Sequence, residues 1–327
     1  MPVFSRVIAI ILGASFGLLS MAPPSAAGST QSKTVAADAG DAISFTSADG
    51  VLLHGQLFGP ERAAVTPPRG GILFVHGPNR SRRDWAYMAQ KMSRQGFTTL
   101  TFDLRGHGAS LLRGDEELDR EIFMDADFAA MAQDVTAAVT YLKQQPGVAE
   151  LGLQLAGSDL GGSLALLHAV ADLSVRTVTL LSPGLGYDSI NAIGQAAKLG
   201  DRHLMMVFSL EDSYSKKSTE VLAKERSGPT HVEILVGVGH GTKMLSRDPA
   251  LEVLLSRWFL GRIFAQDGRA AGQVGRPGSV DKSAPSYDVE AEKKRRLEAL
   301  EGAKESSIQA VDEDDSEADR KRWDDAK

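Results

Sequence analysis

Short runs of β-forming residues alternate with longer amphipathic stretches between about Ala42 and Phe264. The short runs predict strands, and apolar positions that recur every three or four residues predict helices with one buried face. This alternation favours a mostly parallel sheet with helices on both of its faces. We therefore predict an α/β domain over residues 42–264.

The pattern predicts eight strands and five helices. The strands are predicted at Ala42–Ser47, Leu52–Phe58, Gly71–His76, Thr98–Asp103, Leu151–Leu155, Thr177–Leu181, Leu204–Ser209 and His231–Val236. The helices are predicted at Asp84–Gln95, Asp127–Gln144, Leu160–Ala171, Lys216–Arg226 and Pro249–Phe264. The first two strands precede every helix and flank Asp49-Gly50, a dipeptide typical of tight hairpins, so we expect them to pair antiparallel.

The N-terminal end has the composition of an export signal. Arg6 precedes an apolar run, Val7–Met21, and small residues follow at positions 25–27. We expect residues 1–27 to be cleaved and residues 28–41 to form a linker. An uncleaved membrane anchor is the alternative, but the run is short for a bilayer and contains glycine and serine. The sequence therefore predicts an exported protein, periplasmic or secreted, with no stable membrane insertion after cleavage.

The C-terminal end, residues 265–327, is rich in Gly, Ser and Pro and then in dense mixed charge. Such a segment cannot bury enough apolar surface to offset chain entropy, so it is predicted to be a disordered tail with one exposed helix around Val289–Lys304. Basic residues at 293–296 and acidic residues at 312–315 leave open a protein partner for the tail.

The composition excludes several function classes. The 327 residues include no cysteine, which rules out a disulfide framework and a lipid-modified cysteine, and the formal net charge is -6. This mild acidity disfavours a nucleic-acid partner. A small-molecule substrate is the expected partner, and no cofactor or metal is predicted.

The string LAGSDLGG at the end of the fifth predicted strand has the build of a sharp strand-to-helix turn. Such a nucleophile elbow needs small residues two places before and two places after its strained centre. Centring on Asp159 puts Gly157 and Gly161 at those places, whereas centring on Ser158 puts Leu160 where a small residue is needed. The register therefore places an aspartate at the nucleophile position. A glycine-rich turn without chemistry is the alternative from this string alone.

Other polar motifs follow the other predicted strands. His76-Gly77-Pro78 follows the third strand, and the string DLRGHGAS from Asp103 to Ser110 follows the fourth. Asp212 follows the seventh strand, and His240 stands between two glycines after the last. Because parallel strands end at one edge of a sheet, we expect these motifs to lie near the elbow.

Together these motifs resemble the α/β-hydrolase superfamily, in particular bacterial exported members similar to dienelactone hydrolases or serine aminopeptidases. The resemblance implies an α/β-hydrolase fold, with a mostly parallel eight-stranded sheet and helices on both faces. The short stretch between Tyr187 and Asp201 implies little or no cap over the sheet. The family order of nucleophile, acid and histidine is met by Asp159, Asp212 and His240.

The resemblance also implies an oxyanion or binding loop at Gly77, Pro78 and Asn79, with a second backbone donor at Leu160. This loop departs from the family pattern because Pro78 has no N–H to donate. Losing one such donor typically costs about 100-fold to 1,000-fold in the rate of acyl transfer. His76, His107, Ser110 and Ser182 are expected to shape loops rather than to act in catalysis.

Asp159 is the larger departure, because the family position usually holds serine. An aspartate there resembles haloalkane dehalogenases and epoxide hydrolases, whose carboxylate attacks carbon to form an ester that histidine-activated water then hydrolyses. Two hypotheses follow: a hydrolase using an Asp159-His240-Asp212 set on an unknown small molecule, or an inactive pseudohydrolase that binds a ligand or a partner. An ordinary serine esterase or peptidase is disfavoured, since no serine occupies the elbow.

Overall fold

The computed structural model of the chain describes residues 40–60, 68–187 and 189–261. The predicted export signal, the predicted tail with its helix and all but the last two residues of the predicted linker lie outside this part of the chain. Within it, no helix combines the length and the apolar character that crossing a membrane requires.

The strands lie close to their predicted positions. In chain order they are β1 (Asp41–Thr46), β2 (Val51–Phe58), β3 (Gly71–Val75), β4 (Thr98–Phe102), β5 (Leu112–Arg113), β6 (Glu116–Glu117), β7 (Leu153–Ser158), β8 (Val175–Leu181), β9 (Gly186–Tyr187), β10 (Ile190–Asn191), β11 (His203–Ser209) and β12 (Thr230–Leu235).

The five predicted helices are present, together with two short ones that the pattern did not predict. In chain order the helices are α1 (Arg83–Ser93), α2 (Asp125–Lys143), α3 (Val148–Leu151), α4 (Leu160–Ala171), α5 (Ser213–Lys224), α6 (Lys243–Arg247) and α7 (Pro249–Phe259). Single 3₁₀ turns occupy Arg120–Ile122 and Ala196–Leu199.

Ten strands form one sheet in the order β12-β11-β8-β7-β3-β4-β2-β5-β6, with β1 paired to β2. The six strands from β12 to β4 are parallel, and β1 and β2 form the antiparallel hairpin expected around Asp49-Gly50. All eight predicted strands are in this sheet. The additional hairpin β5–β6 has only two residues a strand, which is too short to produce a readable pattern.

The sheet is buried on both faces. Along β3, Leu73 and Val75 pack into one hydrophobic core, and Ile72 and Phe74 pack into the other. Residues of α2, α4 and α5 cover the first core, and residues of α1, α6 and α7 cover the second. This alternation explains why the central strands read as continuous apolar runs.

The predicted start of the strand that leads into the elbow, Leu151, is two residues too early. Leu151 ends the helical turn α3 and is 39% exposed, so its apolar side chain does not belong to the sheet. Gly152 then breaks the turn with φ 92°, and β7 runs from Leu153 to Ser158. The strand therefore delivers the chain directly to Asp159.

The connection between β8 and β11 contains a short ribbon of β9 and β10, followed by the 3₁₀ turn at Ala196–Leu199. These are the only regular elements among the described residues of this connection. The described part of this connection therefore contains no long helix of the kind that forms a cap.

A buried ion network fixes the loop after β4. The Arg105 guanidinium is 1% exposed and lies 2.7 Å from Asp134 on α2 and 2.6 Å from Asp49 in the β1–β2 turn. Asp134 is also fully buried and accepts the backbone N–H of Arg105 at 2.9 Å. The arginine of the DLRGHGAS motif therefore joins a helix, a loop and a hairpin.

We predict that Asp134→Ala lowers the free energy of unfolding by about 3–5 kcal/mol, because the Arg105 charge stays buried after losing a partner. The matched control is Asp115→Ala in an exposed turn, for which we expect a change below about 0.5 kcal/mol. Urea unfolding monitored by circular dichroism measures both. Equal losses in the two variants would contradict this role for the network.

Candidate active site

The elbow has the strained backbone that its sequence predicts. Asp159 has φ 51° and ψ −121°, and its N–H donates to the carbonyl of Leu181 at 2.9 Å. A Cβ atom at Gly157 would lie 2.2 Å from the carbonyl oxygen of Gly161, and one at Gly161 would lie 2.3 Å from that of His76. Only glycine fits at either place, and Asp159 lies at the centre of this turn.

The structure brings Asp159, Asp212 and His240 together at the carboxyl edge of the sheet. Asp212 follows β11, and His240 follows β12. The Nδ1 atom of His240 lies 2.6 Å from Asp212 Oδ2, and its Nε2 atom lies 3.0 Å from Asp159 Oδ2. The histidine thus bridges the two carboxylates.

His240 is charged in this arrangement. Ionised carboxylates only accept hydrogen bonds, so both ring nitrogens must carry hydrogen to satisfy both contacts. The hydrogen bond with Asp159 is the largest influence on the pKa of His240; burial opposes it, the contact with Asp212 adds to it, and the net result is about 9. At neutral pH the ring is therefore an imidazolium.

Asp212 is held in place by a second contact. Its side chain accepts the N–H of Ser215 at 3.1 Å and so caps the start of α5. Burial alone would raise the pKa of Asp212, but the hydrogen bonds from Ser215 and His240 outweigh it and lower the pKa. This cap also explains why α5 begins at Ser213, three residues before the predicted start.

A cleft of about 340 Å³ opens over Asp159 and His240. The predicted loop residues Gly77, Pro78 and Asn79 line it, as do Ser158 and the unpredicted Arg80, Gly241, Thr242 and Lys243. These additional residues adjoin the predicted motifs in sequence, and that adjacency is the signal that could have found them.

Of the two backbone positions expected to donate to an oxyanion, one has an N–H group and the other does not. Leu160 begins α4, so its N–H has no acceptor within the helix, although its side chain is buried and does not line the cleft. Across the cleft Pro78 has no N–H, and the next residue, Asn79, has φ 56°. Gly77 lies against the elbow, where an added Cβ would be 3.2 Å from the carbonyl oxygen of Ser158.

His76 and His107 bind loop backbone, as predicted. The Nδ1 atom of His76 lies 2.7 Å from the carbonyl oxygen of Gly77, and its Nε2 accepts the N–H of Leu104 at 3.0 Å. His107 lies 2.8 Å from the carbonyl oxygen of Arg105. Burial lowers the pKa of both rings, that of His107 to about 4, so neither competes with His240 for a proton.

The aromatic residues near the site do not line the cleft. Trp85 is fully buried and donates its indole N–H to the carbonyl of Val75 at 3.1 Å. Tyr187 packs edge-on against Phe128, with ring centroids 5.4 Å apart.

Among the described residues, no group of three or more acidic or histidine side chains could hold a metal ion.

Comparison with known proteins identifies the family. A model of the alpha/beta hydrolase family matches residues 72–274, which is more than half of the chain. The chain belongs to the alpha/beta hydrolase family. The predicted superfamily and fold class are thereby confirmed for this alpha/beta hydrolase.

Three characterised relatives match about two fifths of this alpha/beta hydrolase. It is 28% identical over 144 residues to the thiohydrolase aneE of Aspergillus aculeatus, covering 43% of this chain and 41% of the relative. It is 30% identical over 143 residues to the polyketide transferase grgF of Penicillium sp., covering 43% and 44%. It is 29% identical over 143 residues to the bifunctional esterase/perhydrolase DCH of Acinetobacter calcoaceticus, covering 40% and 46%. The chain spans less than half the length of these curated relatives.

Solved structures agree on the fold. The dienelactone hydrolase of Anabaena variabilis superimposes with a TM-score of 0.53 at 21% identity, covering 68% of this chain and 97% of that one. The hydrolase GrgF of Penicillium sp. gives 0.55 at 18% identity, covering 69% and 99%. At these identities the likeness concerns the fold alone.

We predict that His240 titrates near pH 9 and that Asp159→Asn lowers its pKa, since the contact with Asp159 is the largest contributor. Because the folded-state pKa exceeds the usual 6.5, these contacts stabilise the fold fully below about pH 6.5 and lose their effect as pH rises through about 9. Nitrogen NMR of the ring measures the titration, with Asp115→Asn as the control. An ordinary pKa in the unaltered chain would contradict the bridged geometry.

Proposed function

We propose that this chain is a hydrolase in which the Asp159 carboxylate attacks an electrophilic carbon of a small-molecule substrate. The hydrogen-bonded set of Asp159, His240 and Asp212 over an open cleft is the observation that carries the proposal. Attack on an ester carbonyl would form an anhydride more reactive than the ester itself. Attack on a saturated carbon instead forms a stable alkyl ester of Asp159 as the bond to the leaving group breaks: a halide departs as an anion, whereas an epoxide oxygen stays on the substrate and takes a proton from His240.

The second step is hydrolysis of that ester, and it requires a base. Esterification removes the charge of Asp159, which is the main support for the high pKa of His240. The Nε2 atom, once it has lost its proton to solvent or to the opened epoxide oxygen, can accept a proton from water while Asp212 holds the Nδ1–H group. The deprotonated water attacks the ester carbonyl. The tetrahedral intermediate then collapses with cleavage of the bond from the carbonyl carbon to the substrate oxygen. That oxygen takes the proton from His240 and leaves as an alcohol, and Asp159 is again a carboxylate.

We further propose that the protein is exported to the periplasm or secreted. The support is the N-terminal sequence, in which Arg6, the apolar run Val7–Met21 and small residues at 25–27 form the pattern of a cleavable signal. The proposed partners are a small-molecule substrate for the cleft and a protein for the charged tail, and the acidic charge argues against nucleic acid.

A non-catalytic binding module is the second candidate, and Pro78 is the observation that favours it. Hydrolysis of any ester passes through an oxyanion, and this loop lacks the N–H that commonly stabilises one. A chain released from catalysis can accept proline there and still keep a cleft for a ligand.

Activity assays with paired variants separate the two candidates. We predict no ester hydrolysis by the unaltered chain, turnover of an epoxide or a haloalkane, and a loss of at least roughly 1,000-fold in Asp159→Asn. Asp115→Asn, in an exposed turn away from the cleft, is the matched control and should retain activity. A single turnover in ¹⁸O-labelled water, analysed by peptide mass, should place the label in Asp159. Ester hydrolysis that persists in Asp159→Asn would refute the site, and a folded chain inactive on every substrate would favour the binding module.

A second pair of variants tests the role of Pro78. Asp159→Ser supplies the hydroxyl nucleophile, and Asp159→Ser with Pro78→Ala also restores a backbone N–H. We predict that the double variant hydrolyses p-nitrophenyl acetate about 100-fold to 1,000-fold faster than the single variant. Equal rates in the two variants would show that Pro78 does not limit acyl transfer.

A further inference from the structure

In the loop that carries His240, the backbone N–H groups of three alternate residues donate to side chains from elsewhere in the fold. In this histidine loop, defined as residues 237–242, Gly237 and Gly239 each donate to the Glu211 carboxylate at 3.0 Å. Gly241 donates to the Ser182 hydroxyl oxygen at 2.8 Å. His240 therefore stands between two anchored positions.

The histidine loop has little intrinsic preference for this shape. Gly237, Gly239 and Gly241 all have positive φ, at 71°, 84° and 60°. Glycine has more conformational freedom to lose than any other residue, so a loop with glycine at alternate positions is readily deformed. The contacts from outside the loop must therefore fix where the His240 ring stands.

Ser182 is built into the fold at this point. It follows β8, is 1% exposed and has φ 49°, a conformation that is uncommon and strained for a residue with a side chain. Its N–H donates to the carbonyl of Val207 at 2.7 Å, and its hydroxyl lies 4.0 Å from the sulfur of Met244. The hydroxyl oxygen is thereby directed at the histidine loop.

Glu211 provides the second anchor with both of its carboxylate oxygens. Burial would raise its pKa, but the hydrogen bonds that the carboxylate accepts outweigh this and lower the pKa to about 2. Glu211 therefore stays ionised across the range in which His240 titrates. The two adjacent acids have different partners: Glu211 binds the backbone of the histidine loop, and Asp212 binds the His240 ring.

We infer that Glu211 and Ser182 are positioning residues that hold the histidine loop so that His240 bridges Asp159 and Asp212. The part of this inference that concerns turnover rests on the proposed function. The part that concerns the placement of the ring does not, and it can be measured without a substrate.

The experiment uses two pairs of variants in the full chain. Ser182→Ala removes the hydroxyl and keeps the strained backbone, whereas Ser182→Gly removes the hydroxyl and also relieves the strain. Glu211→Gln removes the charge, whereas Glu211→Asp keeps the charge with too short a side chain to reach both N–H groups. The matched control is Glu116→Gln, whose side chain is exposed in a salt bridge on the hairpin β5–β6.

Nitrogen NMR of His240 is the primary readout. We expect its pKa to fall from about 9 toward 6.5 in both Ser182 variants and in both Glu211 variants, since glutamine has one acceptor oxygen for two N–H groups, and to stay unchanged in Glu116→Gln. Glycine adopts the native φ at position 182 without strain, so Ser182→Gly is expected to stay folded, as urea unfolding will test. A His240 pKa near 9 in both Ser182→Gly and Glu211→Asp would overturn the inference.

Turnover of an epoxide or a haloalkane, as in the assays of the proposed function, provides the second readout. We expect kcat to fall roughly 10-fold to 100-fold in these variants with little change in KM, because a displaced ring misaligns water rather than substrate. If the unaltered chain is inactive but the His240 pKa falls as expected, the proposed function fails and the positioning role stands. If the unaltered chain is active and the variants keep both kcat and the His240 pKa, the positioning role fails.

Discussion

The contact of one imidazolium with two carboxylates is the interaction on which the arrangement of the site depends. Asp159 and Asp212 would repel each other without a cation between them, and His240 supplies that cation with both ring nitrogens. Its side chain is 46% exposed, so solvent screens these charges and the set is a weak source of stability. The contacts that bring these three loops together therefore contribute little to the stability of the fold.

Aspartate at the elbow reverses the order of proton transfer that serine would require. A serine needs a neutral histidine at the outset, because its proton must leave before it attacks. A carboxylate attacks without a base, but its charge keeps the histidine protonated until an ester forms. In the proposed reaction, the first step therefore produces the base that the second step requires.

The lack of an N–H group at Pro78 is compatible with the two-step reaction proposed for Asp159. Attack of a carboxylate on a saturated carbon creates no tetrahedral oxyanion, so the first step needs no hydrogen-bond donors at the oxyanion position. Only hydrolysis of the ester does, and there Leu160 offers the donor at the start of α4. With a serine at the elbow both steps would need the donors, which makes Pro78 more damaging to acyl transfer than to the chemistry proposed for Asp159.

The sequence was sufficient for features that repeat or that follow fixed spacing. The period of apolar residues predicted all eight long strands, and the glycines around Asp159 fixed the register of the elbow because a Cβ atom fits at neither place. The two-residue strands β5 and β6 and the turn α3 were missed, since so few residues hold no period. Leu151 was assigned to a strand because an apolar residue at a helix end looks the same in sequence.

Contacts between distant parts of the chain could not be predicted from apolar periodicity or from motif spacing. Ser182 was taken as a loop residue, and nothing near it in sequence indicates that it binds the N–H of Gly241, 59 residues away. A comparison of the elbow with the histidine loop shows why one site geometry could be predicted from sequence and the other could not. The elbow encodes its own shape, because its glycines pack against backbone that allows no side chain. The histidine loop has glycines that allow many backbone conformations, so its geometry depends on contacts with distant side chains, among them Glu211 and Ser182.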